Sequence, residues 1–370
     1  MQTKYSIVKD SIKSQILDGT FQAHQKIHSE SELMKQFGVS RHTVRLAIGD
    51  LVSQGWLYRE QGAGTFCADR SREQNQTSGS QKRIALITTY VSDYIFPSII
   101  RGAESYLSQN GYQVSLFSTN NDHEKERMFL ENILSQQFDG VIIEPTKSAI
   151  SNPNINYYLN LERQHIPYLM INSYYDELEP FHLVVDDEKG GFIQTEHLIE
   201  LGHRNILGLF KTDDNQGTKR MKGYLKAHRK HQIEIQPNNM VTYSTEEKAT
   251  KPLQALEEVL QEPLDTRPTA IVCYNDELAV KLLDILRQAS LRVPEDISMV
   301  GFDDSFMAEL TEVKLTTVSH PKSEMGEMAA KVMLDMIKQM NGSKRQSYME
   351  NDMIRFEPKL VERSSTAKVN

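Results

Sequence analysis

Two groups of residues in this 370-residue chain have the types and spacing to bind charged or polar partners. The first contains Arg41 and Arg45, which stand one helical turn apart. Guanidinium groups at such spacing bind phosphates and base edges. The second group contains carboxylates, amides and aromatic residues that follow apolar runs later in the chain. These side chains suit a small polyol, because they supply paired hydrogen bonds beside flat rings.

Local signals predict two short helices around the arginines. Ser29 and Glu32 form a capping box that begins the first helix, and Gly38 ends it. Ser40 caps a second helix, which carries both arginines on its exposed face. The core-facing residues of that helix are predicted to be Val44, Ile48, Leu51 and Val52. A helix with one buried face and a cationic front end fits the major groove, so the pattern predicts DNA binding.

A β-hairpin is predicted directly after this helix, with strands over 56–59 and 65–67 and a Gly-rich turn over 61–64. An opening helix is predicted from the core spacing of Tyr5, Val8, Ile12 and Ile16. Together these elements predict a winged helix-turn-helix. The alternative is that the cationic helix is only a solvated face, and the coincidence of caps, turn and hairpin argues against it.

Residues 31–66 resemble the DNA-binding domain of the GntR family, with its G-V-S-R-x-T-V-R core and G-x-G-T-F wing. The resemblance implies that Arg41 and Arg45 contact bases and that Thr43 contacts a phosphate. The other implied contacts are phosphate contacts from Lys4 and Tyr5, a cytosine contact from Glu30, tuning of sequence preference by His42, and groove or backbone contacts from Gln61 and Gly62.

Composition indicates two or three domains and a reducing environment. The first 83 residues contain 12 Lys and Arg against 8 Asp and Glu, a net charge of +4, whereas the remainder carries −12. This asymmetry suits a DNA-binding domain attached to a sensor. Only two cysteines occur, and no apolar run approaches the length of a membrane span. We therefore expect a cytoplasmic protein without a disulfide framework or a membrane partner.

The sequence divides into a DNA-binding domain over 1–68, a flexible polar linker over 69–82 and a larger domain over 83–363. In the larger domain, apolar strands alternate with helices, which predicts parallel sheets covered on both faces. Its length predicts two sheets, hence two lobes with a cleft between them. The predicted strands span 83–88, 113–117, 140–143, 168–171, 205–210, 270–273 and 297–302.

Segments of this domain resemble the sensor domain of the LacI/GalR repressors, which has the fold of periplasmic sugar-binding proteins. The resembling segments are 196–203, 220–224, 275–279 and 293–304. The resemblance implies contacts to sugar hydroxyls from Arg220, Asn275 and Asp303. Further implied cleft residues are Asp93, Phe96, Glu144, Asn172 and His320, together with Tyr94 and Lys147 from matching loops. The predicted fold is therefore α/β, a winged helix-turn-helix followed by a two-lobed periplasmic-binding-protein-like domain.

The pairing of these two modules, with the segments 94–102 and 144–148, resembles a group of arabinose-responsive repressors. It implies L-arabinose as the effector, operator double-stranded DNA as a partner, and a homodimer on a pseudo-palindromic site with the first lobe as its interface. The linker lacks the apolar hinge helix of LacI proteins, so we do not expect operator bending by that route.

Three alternatives stay open at this stage: a regulator of another pentose or hexose, a transport-type binding protein, and a sugar-modifying enzyme with an added DNA-binding domain. The winged helix disfavours the second, and no signal peptide is expected. For the third, the sequence has no G-x-S-x-G elbow, complete P-loop or metal-ligand spacing. We therefore expect neither an enzyme nor a metal or cofactor. Glu144, Asn172 and Arg220 have a structural alternative, as loop caps and salt-bridge partners.

Overall fold

The structure of the chain is a computed structural model that describes residues 3–69, 82–341 and 353–369. Nearly all of the predicted linker, residues 70–81, lies outside the described residues. Within the described ranges, no helix is both long and apolar enough to cross a membrane.

The N-terminal part of the chain folds as a winged helix-turn-helix domain, as predicted. Its elements are α1 (Lys4–Leu17), α2 (Glu30–Phe37), α3 (Arg41–Ser53), β1 (Leu57–Glu60) and β2 (Gly64–Cys67). Ser29 and Glu32 form the predicted capping box at the start of α2. Gly38 ends α2 in the left-handed conformation, with φ of 60°, and the Ser40 side chain caps α3. These caps end α2 and begin α3, whose first residues Arg41 and His42 are exposed.

The first lobe is a six-stranded parallel sheet with helices on both faces. Its elements are β3 (Arg83–Thr88), α4 (Phe96–Gln109), β4 (Gln113–Ser118), α5 (His123–Ser135), β5 (Gly140–Ile143), α6 (Ile155–Arg163), β6 (Tyr168–Ile171), β7 (His182–Val185), α12 (Lys322–Asn341) and β13 (Met353–Phe356). The strand order is β13-β7-β6-β5-β3-β4. The central strands β5 and β6 are completely buried, which explains why they are apolar throughout.

The second lobe is built on a four-stranded parallel sheet in the order β11-β10-β8-β9. Its elements are α7 (Asp187–Glu200), β8 (Ile206–Lys211), α8 (Asn215–Lys230), β9 (Met240–Tyr243), α9 (Lys251–Val259), β10 (Ala270–Cys273), α10 (Asp276–Gln288), β11 (Ser298–Val300), α11 (Phe306–Leu310), β12 (Thr317–Val318) and β14 (Leu360–Val361). The chain passes between the lobes three times, over 185–187, 318–322 and 356–360. The cleft therefore lies between two lobes joined by three short crossings.

The predicted fold class is confirmed, and the sequence prediction missed three strands of the two sheets. These are β7, β9 and β13, each only four residues long. The final described residues also pack on the second lobe: Met299 N donates to Ser365 O at 2.8 Å, and Val369 N donates to Leu201 O at 3.0 Å. The packed part of the chain thus continues past residue 363.

Helices α4 and α12 of the first lobe meet through two glycines. A Cβ atom added at Gly102 would lie 2.2 Å from the backbone oxygen of Ser323, and one added at Gly326 would lie 2.0 Å from that of Ile99. Neither contact leaves room for a methyl group, because the opposing atom is backbone rather than a flexible side chain. The absence of side chains here sets the distance between the two helices.

We predict that Gly102→Ala destabilises the sensor by about 1–3 kcal/mol, because α4 and α12 must separate to admit the methyl group. A lower melting temperature of the sensor transition in calorimetry would show this. Gly49→Ala in α3 is the matched control, since a Cβ there meets nothing within 4 Å. That change is expected to stabilise its helix by about 0.5–1 kcal/mol. An unchanged sensor transition in Gly102→Ala would contradict the packing account.

Candidate DNA-contact surface and interlobe cleft

The N-terminal end of α3 presents the predicted base-contacting residues to solvent. Arg41, His42 and Arg45 are exposed, whereas Val44, Ala47, Ile48 and Leu51 are buried against α1 and α2. Thr43 is half-buried, and its backbone N–H donates to the Ser40 side chain at 3.2 Å. The exposed arginines and the partial positive charge at the N-terminal end of α3 suit a polyanionic partner.

Glu30 forms an ion pair with Arg45 across the helix-turn-helix. The Arg45 Nε lies 3.1 and 3.0 Å from the two carboxylate oxygens, while its side chain keeps 61% of its surface exposed. The carboxylate therefore holds Arg45 in one direction while leaving its Nη groups available. The sequence suggested Glu30 as an acceptor for cytosine; in the structure its observed partner is Arg45.

The other predicted DNA-contacting residues flank α3. Lys4 is exposed at the start of α1, and the Tyr5 hydroxyl donates to Asp50 of α3. Gln61 and Gly62 form the exposed tip of the hairpin, with Gly62 at φ of 78°. Sequence reasoning overlooked Lys26, an exposed lysine whose backbone pairs with Phe66 and whose side chain lies against Gly64. Its position beside the wing adds a cation to this surface.

A cavity of about 390 Å³ lies between the two lobes. It is lined by all of the predicted effector-contacting residues except Lys147: Asp93, Tyr94, Phe96, Glu144, Asn172, Arg220, Asn275, Asp303 and His320. Lys147 instead pairs with Glu246 of the second lobe, at 2.5 Å between Nζ and Oε1. This ion pair joins the lobes beside the cavity. The Asn275 side chain also caps α10, accepting from Leu278 N at 2.9 Å, which leaves its amide nitrogen for another partner.

A buried guanidinium organises the second-lobe wall of the cavity. Arg220 donates from Nε to Asp187 at 2.8 Å, from Nη1 to the Tyr274 carbonyl at 2.7 Å, and from Nη2 to Asp303 at 3.1 Å. It also stacks over the ring of Phe302, 3.5 Å from the centroid. Burial raises the pKa of Asp187 to about 6, against the opposing effect of the guanidinium. The sequence left open whether Arg220 is a salt-bridge partner or a cavity residue. In the structure it is both: it pairs with Asp187 and Asp303, and it lines the cavity.

A chain of hydrogen bonds fixes the tautomer of His320. Thr89 donates to Glu144, Asn172 Nδ2 donates to the other Glu144 oxygen at 2.9 Å, and Asn172 Oδ1 lies 3.0 Å from His320 Nε2. His320 Nε2 must therefore carry the proton, which leaves Nδ1 as an acceptor. This Nδ1 atom is buried and has no hydrogen-bond partner among the described residues. Burial lowers the pKa of His320 to about 4, so the imidazole is neutral at pH 7.

Tyr94 reaches from the first lobe to the second. Its hydroxyl lies 2.8 Å from Asp303 Oδ2 and 2.9 Å from the Phe302 carbonyl, and it accepts from Asp276 N at 3.1 Å. Burial raises the pKa of Tyr94 well above its ordinary value, which keeps the phenol protonated as a donor. Its backbone adopts a left-handed conformation with φ of 60°. Tyr94 thus occupies part of the cavity and links the two lobes directly.

Sequence reasoning overlooked a second polar cluster on the cavity wall. Lys211 pairs with Asp213 at 3.2 Å and with Asp214 at 2.9 Å, and Tyr274 OH donates to Asp214 at 2.8 Å. Lys211, Asp214 and Tyr274 line the cavity. They lie at or just after the carboxyl ends of β8 and β10, where ligands of parallel sheets bind. The sequence signal was therefore present in the strand positions.

The cavity offers hydrogen-bond acceptors, hydrogen-bond donors and aromatic faces. Its walls combine carboxylates, amides, a guanidinium and an imidazole acceptor around Phe96 and Tyr274. In the part of the chain that the structure describes, no three His, Cys, Asp or Glu side chains are grouped to hold a metal ion. This arrangement suits recognition of a small polyhydroxylated molecule through paired hydrogen bonds.

Comparisons with known proteins agree with this two-module arrangement. Residues 4–67 match the family described as bacterial regulatory proteins, gntR family, and residues 195–366 match a periplasmic binding protein-like domain. A solved LacI family transcriptional regulator from Enterococcus faecium, with bound ribose, has a TM-score of 0.66 at 26% sequence identity. That similarity covers 78% of this chain and 100% of the regulator.

Two relatives are similar over nearly their whole length. The arabinose metabolism transcriptional repressor of Halalkalibacterium halodurans is 60% identical over 369 residues, which is 100% of this chain and 98% of the relative. The corresponding repressor of Geobacillus stearothermophilus is 50% identical over 366 residues, covering 99% of this chain and 98% of the relative. Full-length identity of this degree, in a chain with both expected modules, shows that it belongs to the family of arabinose metabolism transcriptional repressors.

Proposed function

We propose that this protein represses arabinose utilisation genes by binding operator DNA as a homodimer, and that L-arabinose bound in the cleft releases it. The observation that carries the proposal is the 60% full-length identity to an arabinose metabolism transcriptional repressor, combined with a polar cavity of about 390 Å³. In this proposal residues 1–68 form the DNA-binding domain, 69–82 the linker and 83–363 the sensor.

The sugar is proposed to bind between the two walls of the cavity. Arg220 and Asp303 of the second lobe would bind adjacent hydroxyls, because both residues line the cavity and hydrogen-bond to each other. His320 Nδ1 would accept from a further hydroxyl, since this buried atom has no partner among the described residues. Phe96 offers an aromatic surface for the C–H face of the ring. The ribose bound to the Enterococcus faecium regulator supports a sugar of similar size.

DNA binding is proposed to place the N-terminal end of α3 in the major groove. Arg41 and Arg45 would contact base edges, with Arg45 held by Glu30, and Thr43 would contact a phosphate. The remaining assignments are phosphate contacts from Lys4 and Tyr5, tuning of specificity by His42, and groove contacts from Gln61 and Gly62. Two winged-helix domains would bind the half-sites of a pseudo-palindrome, with the first lobe as the dimer interface.

Release is proposed to arise from differential affinity. Contacts between the lobes already exist in and beside the cavity, among them Tyr94 with Asp303 and Lys147 with Glu246. A sugar that replaces or strengthens such contacts changes the relative position of the lobes, and the DNA-binding domains with them. A coupling free energy of about 1–3 kcal/mol, or 5–150-fold in affinity, is typical of such systems.

We predict that Arg45→Ala weakens operator binding by about 1–3 kcal/mol, because a bidentate base contact is lost. Fluorescence anisotropy at fixed salt, with operator variants at each position, would show relaxed preference at one base pair. Arg287→Ala is the control: this arginine pairs with Asp284 on the sensor surface and keeps 72% of its side chain exposed. Equal operator affinity in Arg45→Ala and Arg287→Ala would refute the base contact.

We predict that His320→Ala weakens L-arabinose binding about 10-fold, because removing one buried acceptor costs roughly 1–2 kcal/mol. Operator affinity without sugar should be unchanged. Calorimetric titration with L-arabinose, D-ribose, D-xylose and D-galactose would measure both affinity and selectivity. His231→Ala, outside the cavity and paired with Glu196, is the matched control.

The same titration of the wild-type protein distinguishes the effector candidates. Binding of L-arabinose well above the other sugars is the expected result. Tighter binding of another pentose or hexose would assign the cleft to that sugar instead, and unaltered L-arabinose binding in His320→Ala would contradict the proposed acceptor.

A further inference from the structure

The winged-helix domain contacts the first lobe through the C-terminal end of α1. Ser14 Oγ donates to Glu131 of α5 at 2.9 Å and lies 3.1 Å from the Tyr157 hydroxyl of α6. Tyr157 OH itself donates to Glu131 at 2.9 Å, and Arg127 pairs with the same carboxylate. Tyr157 is only 5% exposed. A serine of the DNA-binding domain therefore completes a polar cluster that belongs to the first lobe.

The last turn of α1 is also bound by the first lobe. Asn160 Nδ2 of α6 donates to the carbonyl oxygen of Leu17, one of the carbonyls that a helix end leaves without an intrahelical partner. Leu17 is buried, and so is Asn160. Beyond it the chain turns at Gly19, with φ of 81°, beside Asn160 and Arg163. This end of α1 thus has a specific partner on α6 as well as on α5.

The same two helices hold the loop that carries a cleft residue. Glu126 of α5 is fully buried and accepts from Tyr158 OH, Tyr175 OH and Asn152 Nδ2, each at 2.9 Å. It also accepts from the backbone N–H of Thr146 at 3.2 Å. Thr146 and Asn152 belong to the loop after β5, which begins with the cavity residue Glu144. One carboxylate therefore ties the cleft loop to α5 and α6.

Helices α5 and α6 both contribute side chains to the Glu126 cluster and to the Glu131 cluster. On α5, Glu126 binds the cleft loop and Glu131 binds Ser14. On α6, Tyr158 donates to Glu126, and the hydroxyl of the adjacent Tyr157 lies 3.1 Å from Ser14 Oγ. If the cleft loop moves, either its hydrogen bonds to Glu126 break or helices α5 and α6 move with it. If these helices move, the hydrogen bonds to α1 change with them. Coupling between distant sites requires such a contiguous physical connection with two arrangements.

We infer that α5 and α6 form an interdomain surface that transmits the state of the cleft to the winged-helix domain. The inference rests on the proposed function, because it assumes that sugar binding changes operator affinity. In the docked arrangement Arg41, His42 and Arg45 are exposed, so docking does not cover the DNA-contacting face. Docking instead sets the direction in which α3 points from the sensor. A ligand changes this equilibrium only through contacts that differ between the two states.

The test is Ser14→Glu in the full-length protein, which places a second carboxylate against Glu131 and separates α1 from the first lobe. Ser11→Glu is the matched control: it adds the same charge to α1, and within the described part of the chain the Ser11 hydroxyl forms no hydrogen bond with the first lobe. Anisotropy would give the operator dissociation constant with and without saturating L-arabinose. Calorimetry would give the dissociation constant for L-arabinose in each variant.

Wild type and Ser11→Glu are expected to lose about 5–150-fold in operator affinity when sugar is added. Ser14→Glu is expected to lose less than about twofold, with the dissociation constant for L-arabinose in the wild-type range, which also shows that its sensor is folded. Tyr157→Phe, which removes only the shared hydroxyl, should give an intermediate ratio. A wild-type ratio in Ser14→Glu with normal sugar binding overturns the inference alone. A ratio of one in the wild type overturns the proposed function and the inference together.

Discussion

Arg220 places a guanidinium between two carboxylates in a part of the second lobe from which solvent is almost excluded. A buried charge is stable only when partners satisfy it, so Asp187, Asp303 and the Tyr274 carbonyl must all stay in position. Because Asp303 also binds Tyr94 of the first lobe, this one cluster determines both a wall of the cavity and a contact between the lobes. Any ligand that enters the cavity meets groups whose hydrogen bonds are already arranged.

The proposed regulation also requires a physical connection between the cleft and the candidate DNA-contact surface. The two walls of the cavity come from different sheets, and the first-lobe wall includes Glu144, at the start of the loop held by Glu126. Helices α5 and α6 carry that loop on one cluster and the end of α1 on another. A repressor controlled by a small molecule needs such a connection, because binding in the cleft must change the contacts that a separate domain makes with DNA.

The sequence predicted most of what depends on local chemistry. The helix caps at Ser29, Gly38 and Ser40 depend only on residues within about one turn of the helix end. The structure contains the helices that these caps begin or end. Glu144, Asn172 and Asp303 follow strands, and parallel strands bring their carboxyl ends to one edge. Arg220 and His320 were expected only from the resemblance to the LacI/GalR sensor domain. Pairings between distant residues could not be predicted in this way: Lys147 with Glu246, or Ser14 with Glu131, depend on how separate units meet. Strand β13 was missed for the same reason, since its partner β7 lies far back in the chain.

The most direct test of the account is the reciprocal measurement, the affinity of the protein for L-arabinose with and without saturating operator DNA. Thermodynamic linkage requires that operator DNA weaken sugar binding by the factor by which sugar weakens operator binding. The account predicts a dissociation constant for L-arabinose about 5–150-fold higher on the DNA complex than on the free protein. The same dissociation constant in both states would contradict it, because the cleft and the DNA-binding surface would then be independent.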